Sequence, residues 1–86
     1  MKPKEIISYP VMTEVTSRLI ETENKLVFIV NSKARKEDIK RAVEELYHVK
    51  VKEINVAFTR KGKKKAYVKL EPEYKATDVA IRLGVL

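Results

Sequence analysis

Arg60, Lys61, Lys63, Lys64 and Lys65 place five cations within six residues, interrupted only by Gly62. The chemistry open to such a cluster is charge neutralisation. Ammonium and guanidinium groups crowded onto one turn suit a polyanion, and each neutralised phosphate releases condensed counterions. Lysine is a point charge without the bidentate geometry of arginine, so these contacts position a backbone more than they read bases. The net charge is +7, and the residues outside 60–65 set fourteen Lys/Arg against twelve Asp/Glu. Most of the excess therefore sits in one loop. Heat-adapted enrichment in charged residues would spread both signs; this loop carries one. Simple solvation of a lysine-rich turn is the plainer reading.

Other chemistries find little support. His48, the one histidine, closes a helical stretch, where a cation suits the helix dipole. There is no cysteine, hence no disulfide framework, zinc knuckle or thiol chemistry. No phosphate-cradling G-x-x-x-x-G-K-[ST] run exists, and Gly62 and Gly84 read as a turn and a helix end. The carboxylates fall on solvated faces. These features argue against an enzyme and predict no cofactor or metal. Eighty-six residues suit one domain, 1–86, burying roughly 60–65% of its unfolded surface. The stretch MKPKEIISYPVM lacks a signal-peptide core, and the longest apolar run, LVFIV, is far short of the ~20 residues of a membrane span. A soluble, intracellular protein without membrane insertion is expected.

The elements that position the cations follow from hydrophobic period. KEIIS (4–8) is a short edge strand closed by Tyr9-Pro10. TEVTSRLIETEN reads as a helix with Thr13 as N-cap, Glu14 at its positive end, and Val15, Leu19 and Ile20 facing inward. KLVFIV (25–30) is apolar on both faces, which predicts a covered central strand with helices on both faces of the sheet. RKEDIKRAVEELYHV carries the stripe Ile39, Ala42, Val43, Leu46, Tyr47, with Glu37–Arg41, Lys40–Glu44 and Arg41–Glu45 as i,i+4 pairs and a weak N-cap at Arg35. KEINVAFT follows as a strand with Ile54, Val56 and Phe58 on one face. Val49 and Val51 are out of phase with it, so it starts near Glu53 or contains a bulge. KKAYVKLE returns with Ala66, Val68 and Leu70 inward and Tyr67 and Lys69 outward. TDVAIRLG is a last helix with Thr77 as N-cap and Gly84 beyond its end.

The order β-α-β-α-β-β-α predicts an α/β (α+β) fold. Its antiparallel or mixed four-stranded sheet has a split β-α-β core, the strand at 64–70 lying between its two parallel partners. NSKARK and TRKGKKK then end at the same pole. That pole gathers Lys2, Lys4, Lys33, Arg35, Lys36, Arg60, Lys61, Lys63, Lys64 and Lys65, and the opposite pole gathers Glu21, Glu23, Glu71 and Glu73. Structured RNA is the natural partner, since nothing resembles a helix-turn-helix and RNA is recognised largely by shape and backbone. Phe28 and Phe58 read as core, leaving Tyr67 and Tyr74 as outward candidates for stacking.

Four segments resemble the large-subunit ribosomal protein of family twenty-three in its short archaeal form: YPVMTEVT, NKLVFIV, ARKEDIKRAVEELYHVKVKEIN, and KKAYVKL with Val79 beyond it. In order, they span about residues 9–84. The resemblance implies a three-layer domain and a non-enzymatic component of the large ribosomal subunit, cytoplasmic within the ribosome. It implies binding to large-subunit ribosomal RNA near the polypeptide exit tunnel, beside neighbouring ribosomal proteins. It also implies a docking surface for the signal recognition particle and the translocation channel and, in bacteria, trigger factor. The glutamate of the family's Pro-x-x-Thr-Glu motif falls on Glu14, which the helix N-terminus explains equally well. Three departures stand out: Val15 replaces the family's lysine, Asn55-Val56 replaces Asn-Thr, and the long hairpin reaching into the tunnel is absent. The contrasting reading is an adaptor outside the ribosome whose basic loop meets an acidic protein.

Overall fold

A computed structural model describes residues 2–85. Its elements are α1 (Pro3–Ile6), β1 (Ile7–Pro10), α2 (Glu14–Glu23), β2 (Lys25–Val30), α3 (Lys36–Tyr47), β3 (Val51–Phe58), β4 (Lys64–Leu70) and α4 (Ala76–Arg82). The four strands form one antiparallel sheet in the order β1-β2-β4-β3, so β4 fills the gap between the parallel β2 and β3. The α+β class, the element order and the split β-α-β core hold, with one helical turn added at the start.

That turn displaces the expected strand at 4–8. Proline presets the φ of a first helical position, and the Lys2 N–H donates to the Glu5 carboxylate at 3.1 Å. The strand begins only at Ile7. The next helix is capped as its sequence predicts. Thr13 Oγ1 accepts from the Thr16 N–H at 3.2 Å, while Thr16 Oγ1 accepts from the Thr13 N–H at 2.8 Å. This is a reciprocal capping box with threonine in the place of glutamate. The same Thr16 hydroxyl donates to the Val11 carbonyl at 2.9 Å, and the residue is only 5% exposed. The inward line is therefore 16, 19, 20, and Val15, expected inside, is 64% exposed. A near-isosteric Thr16→Val change strands two backbone groups. It should lower stability by about 1–3 kcal/mol, read as a lower urea midpoint at unchanged m.

One apolar cluster joins Leu26, Phe28 and Val30 of β2, Ile54 of β3 and Ala66, Val68 and Leu70 of β4 to buried residues of all four helices. The α3 stripe behaves as its period predicts: Ile39, Ala42 and Val43 are buried, and Leu46 and Tyr47 pack at its margin. Tyr47 stacks on Phe28 with ring centroids 5.8 Å apart, and burial raises its phenol above the ordinary value of 10.0. Val27 and Ile29 are buried on the other face, outside this cluster. Along the β3 edge that face is open, with Glu53, Asn55 and Ala57 exposed. Ile29 is instead covered by loops, lining a hollow with Tyr9, Met12 and Lys65.

The out-of-phase valines are a bulge, with a register shift between Val51 and Glu53. None of the three expected i,i+4 pairs on α3 closes. Among the described residues the ion pairs are Arg18–Glu14 at 3.6 Å and Lys25–Glu23 at 3.3 Å. Glu44 instead accepts from the Val51 N–H at 2.9 Å, and the Asp38 carboxylate accepts from the Arg35 N–H at 3.0 Å, supplying half of the cap that Arg35 lacks. His48 ends α3 in the left-handed region at φ 56°. The expected cap Thr77 lies inside α4, whose Ala76 N–H donates to Asn24 Oδ1 at 2.7 Å.

Candidate nucleic-acid interface

The β3–β4 turn is closed by Thr59. Its N–H donates to the Lys63 carbonyl at 2.8 Å, its carbonyl accepts from the Gly62 N–H at 3.0 Å, and its hydroxyl accepts from the Lys63 N–H at 3.1 Å. Gly62 takes φ 79°, which costs glycine little and other residues more. Three bonds on so short a turn make a stiff tip. Arg60, Lys61 and Lys63 point outward from it, all exposed.

A second basic segment is built beside the first. Asn31 Oδ1 accepts from the Lys33 N–H at 2.9 Å, and the Asn31 N–H donates to the Ile6 carbonyl at 2.8 Å, which ties the start of this segment to the end of α1. Ala34 is fully buried, so its neighbours Lys33 and Arg35 are turned to solvent. The Lys64 ammonium donates to the Ala34 carbonyl and ties the two segments together. Lys64 is thus half structural. Lys64→Ala should lower stability by about 1 kcal/mol, while the exposed Lys61→Ala leaves the melting temperature unchanged; thermal melts of both check it.

The structure brings together Lys33, Arg35, Arg60, Lys61, Lys63, Lys64 and Lys65. Lys36 follows directly as the first residue of α3, against the β3 edge with Lys40 and Lys52. Lys2 and Lys4 do not join them. Because residues 3–6 are helical and pack on α3, these two lysines line a separate hollow with Glu5, Glu45 and Leu46. The opposite end is mixed rather than acidic: Glu21 and Glu23 line a hollow of about 540 Å³ with Lys52, Lys69 and Lys75. Among the described residues none of the ten candidate cations pairs with a carboxylate.

Three aromatic rings stand among these cations, of which Tyr67 is the one expected to face outward. Phe58, expected in the core, is 64% exposed because it lies at the last position of an edge strand, beyond the reach of the helices. Lys64 Nζ lies 5.9 Å from its ring centroid, Lys65 Nζ 5.9 Å from that of Tyr67, and Lys63 Nζ 5.5 Å from that of Tyr9. The strand alternation indicated Tyr67; nothing in the local sequence indicated Phe58. Tyr74, the other outward candidate, packs against the core.

Residues 5–79 match the family described as Ribosomal protein L23. The chain is 53% identical over 81 residues to the large ribosomal subunit protein uL23 of Methanococcus aeolicus, and 51% identical to that of Methanococcus vannielii; each alignment covers 94% of both chains. On this similarity, carried by nearly every element of the fold, the chain belongs to the ribosomal protein L23 family.

Proposed function

We propose that this protein, through residues 1–86 as one RNA-binding domain, grips large-subunit ribosomal RNA with its basic end, near the exit of the polypeptide tunnel. Its family role is that of a structural component of the large ribosomal subunit, not an enzyme, working in the cytoplasm within the ribosome among other ribosomal components. The observation that carries the RNA reading is the Lys64–Ala34 bond. It holds two loops side by side, so that Lys33, Arg35, Arg60, Lys61 and Lys63 form one exposed, uncompensated cationic surface. Such a surface costs self-repulsion unless a polyanion covers it.

Away from that end, Glu14 offers a docking feature. Its side chain is exposed beside Val15 and Met12, with Arg18 at 3.6 Å. An exposed apolar pair flanked by one charge of each sign suits a protein contact, for which the signal recognition particle and the translocation channel are the proposed partners. The substitution of Val15 for lysine turns this edge from RNA toward protein.

A salt titration of binding to large-subunit ribosomal RNA tests the reading. Log K should fall linearly with log salt, at about 0.7–0.9 per phosphate contact. Failure to bind any large-subunit fragment at low salt, alongside capture of an acidic protein, would replace it with the adaptor reading.

A further inference from the structure

Tyr9, Ile29 and Lys65 form one cross-strand row, because the register sets Tyr9 beside Ile29 and Ile29 beside Lys65. Directly paired residues share a face, so all three stand on the side of the sheet away from Phe28. Two segments wall this row. One is the chain leaving β1, residues 10–12, held to the sheet where the Val11 N–H donates to the Val27 carbonyl at 2.8 Å. The other is the β3–β4 turn, whose Lys63 ammonium reaches across β2 and donates to the Tyr9 hydroxyl at 3.0 Å. Between them lies a hollow of about 460 Å³, with Met12 and Ile29 in its lining, Arg60 and Lys61 at its rim, and no carboxylate in its walls. Tyr9 is 45% and Met12 36% exposed.

We infer that this hollow receives one nucleotide extruded from the bound RNA, its base against Tyr9, Met12 and Ile29 and its phosphates on Arg60 and Lys61. The inference rests on the RNA reading above and deepens it by naming a second mode of contact. The floor is apolar and the rim is cationic, so the occupant must be flat and apolar at one end and anionic at the other. A nucleotide is both. A phosphate chain alone leaves the floor wet, and an apolar side chain alone leaves the rim unneutralised. The volume falls within the ~300–1,000 Å³ of small-ligand sites, enough for a base with its ribose and too little for a paired helix. Arg60 and Lys61 belong to the exposed cationic surface as well as to this rim, so RNA gripped there lies beside the opening. Neither forms an ion pair among the described residues. The walls are set in advance by the Thr59 turn and the Lys63–Tyr9 bond. Unpaired bases stacked on aromatic side chains are the usual targets of proteins that read RNA beyond its backbone. The Tyr9 hydroxyl is already engaged, so the floor should tolerate any base.

The test uses the full chain and two probes: a short RNA duplex with a single bulged adenosine, and the same duplex with an abasic residue in the bulge. Both carry the same phosphates, so their salt slopes should be equal. The wild-type protein should prefer the bulged base by about 5- to 100-fold. Tyr9→Ala should remove most of that preference. Tyr9→Phe loses the bond to Lys63 but keeps the ring, and should retain it. The methyl NMR signals of Met12 and Ile29 should move with the adenosine probe and stay in place with the abasic one. That reads the site in the unaltered protein, even if Tyr9→Ala fails to fold. The inference is overturned if the wild type binds both duplexes equally with a normal salt slope, in which case the phosphate grip stands without a base site. It is overturned equally if the two methyl signals move only with an acidic, leucine-bearing peptide, which would make the hollow a protein anchor. Absence of any binding to either duplex removes the RNA reading along with it.

Discussion

Asn24→Ala is expected to cost about 2–4 kcal/mol, a large share of the roughly 4–13 kcal/mol that a chain of this length commands. Asn24 ends α2 in the left-handed region, at φ 56° and ψ 38°, where alanine is strained by about 1 kcal/mol. Its side chain reaches across to a distant part of the chain. Oδ1 accepts from the Ala76 N–H at 2.7 Å, and Nδ2 donates to the Tyr74 carbonyl at 2.8 Å. Ala76 is fully buried, so its N–H has no water to turn to once the amide is gone. The Asn24 carbonyl also accepts from the Leu70 N–H at 3.1 Å, which fixes the end of β4. Asn24→Gly separates the two costs. Glycine accepts the left-handed backbone but restores no hydrogen bond, so it should recover about 1 kcal/mol of the loss. Denaturant unfolding of both variants reads this out. If glycine recovered everything, the side-chain bonds would be worth nothing.

The second large effect is on binding. Changing Lys33, Arg60 and Lys61 together to alanine should reduce the salt slope for large-subunit RNA by about 2–3 and weaken binding about 100-fold near 0.15 M salt, if each holds one phosphate. All three are exposed, without an ion pair among the described residues, so thermal stability should not move. Lys64 is left out deliberately, since its bond to Ala34 would mix stability with affinity. A drop in affinity at unchanged slope would mean that these cations touch no phosphate.

Much of this fold could be read from periodicity alone. The α3 stripe, the inward row of β4 and the phase slip at Val51 each have a local cause, so a local reading finds them. The basic end was legible for a similar reason: the direction of each strand decides which loops share a pole. What escaped depends on partners distant in sequence. Thr77 looks like a cap until Asn24, fifty-three residues earlier in the chain, supplies one to Ala76 instead. Val15 looks inward until the capping hydroxyl of Thr16 is seen to be needed inside. Phe58 follows the core face of β3 by alternation, yet the strand outruns the helices that would cover it. Lys2 and Lys4 left the basic end because Pro3 started a helix where a strand had been expected.

The strand order has a consequence in time. β4 is the last strand to be made, yet it occupies a central place between β2 and β3. Until residues 64–70 exist, β2 and β3 have no common neighbour, and the sheet is a two-strand ribbon with a helix and an orphan segment trailing behind. Pairing Leu26 with Val68 then closes a long span of chain, whose entropic cost rises only slowly with length. Helix α3 takes up slack within that span. The adjacent β3–β4 hairpin is a local structure that can form first. The stiff turn at Thr59 thereby offers assembly a local starting point, close in sequence to both strands it joins.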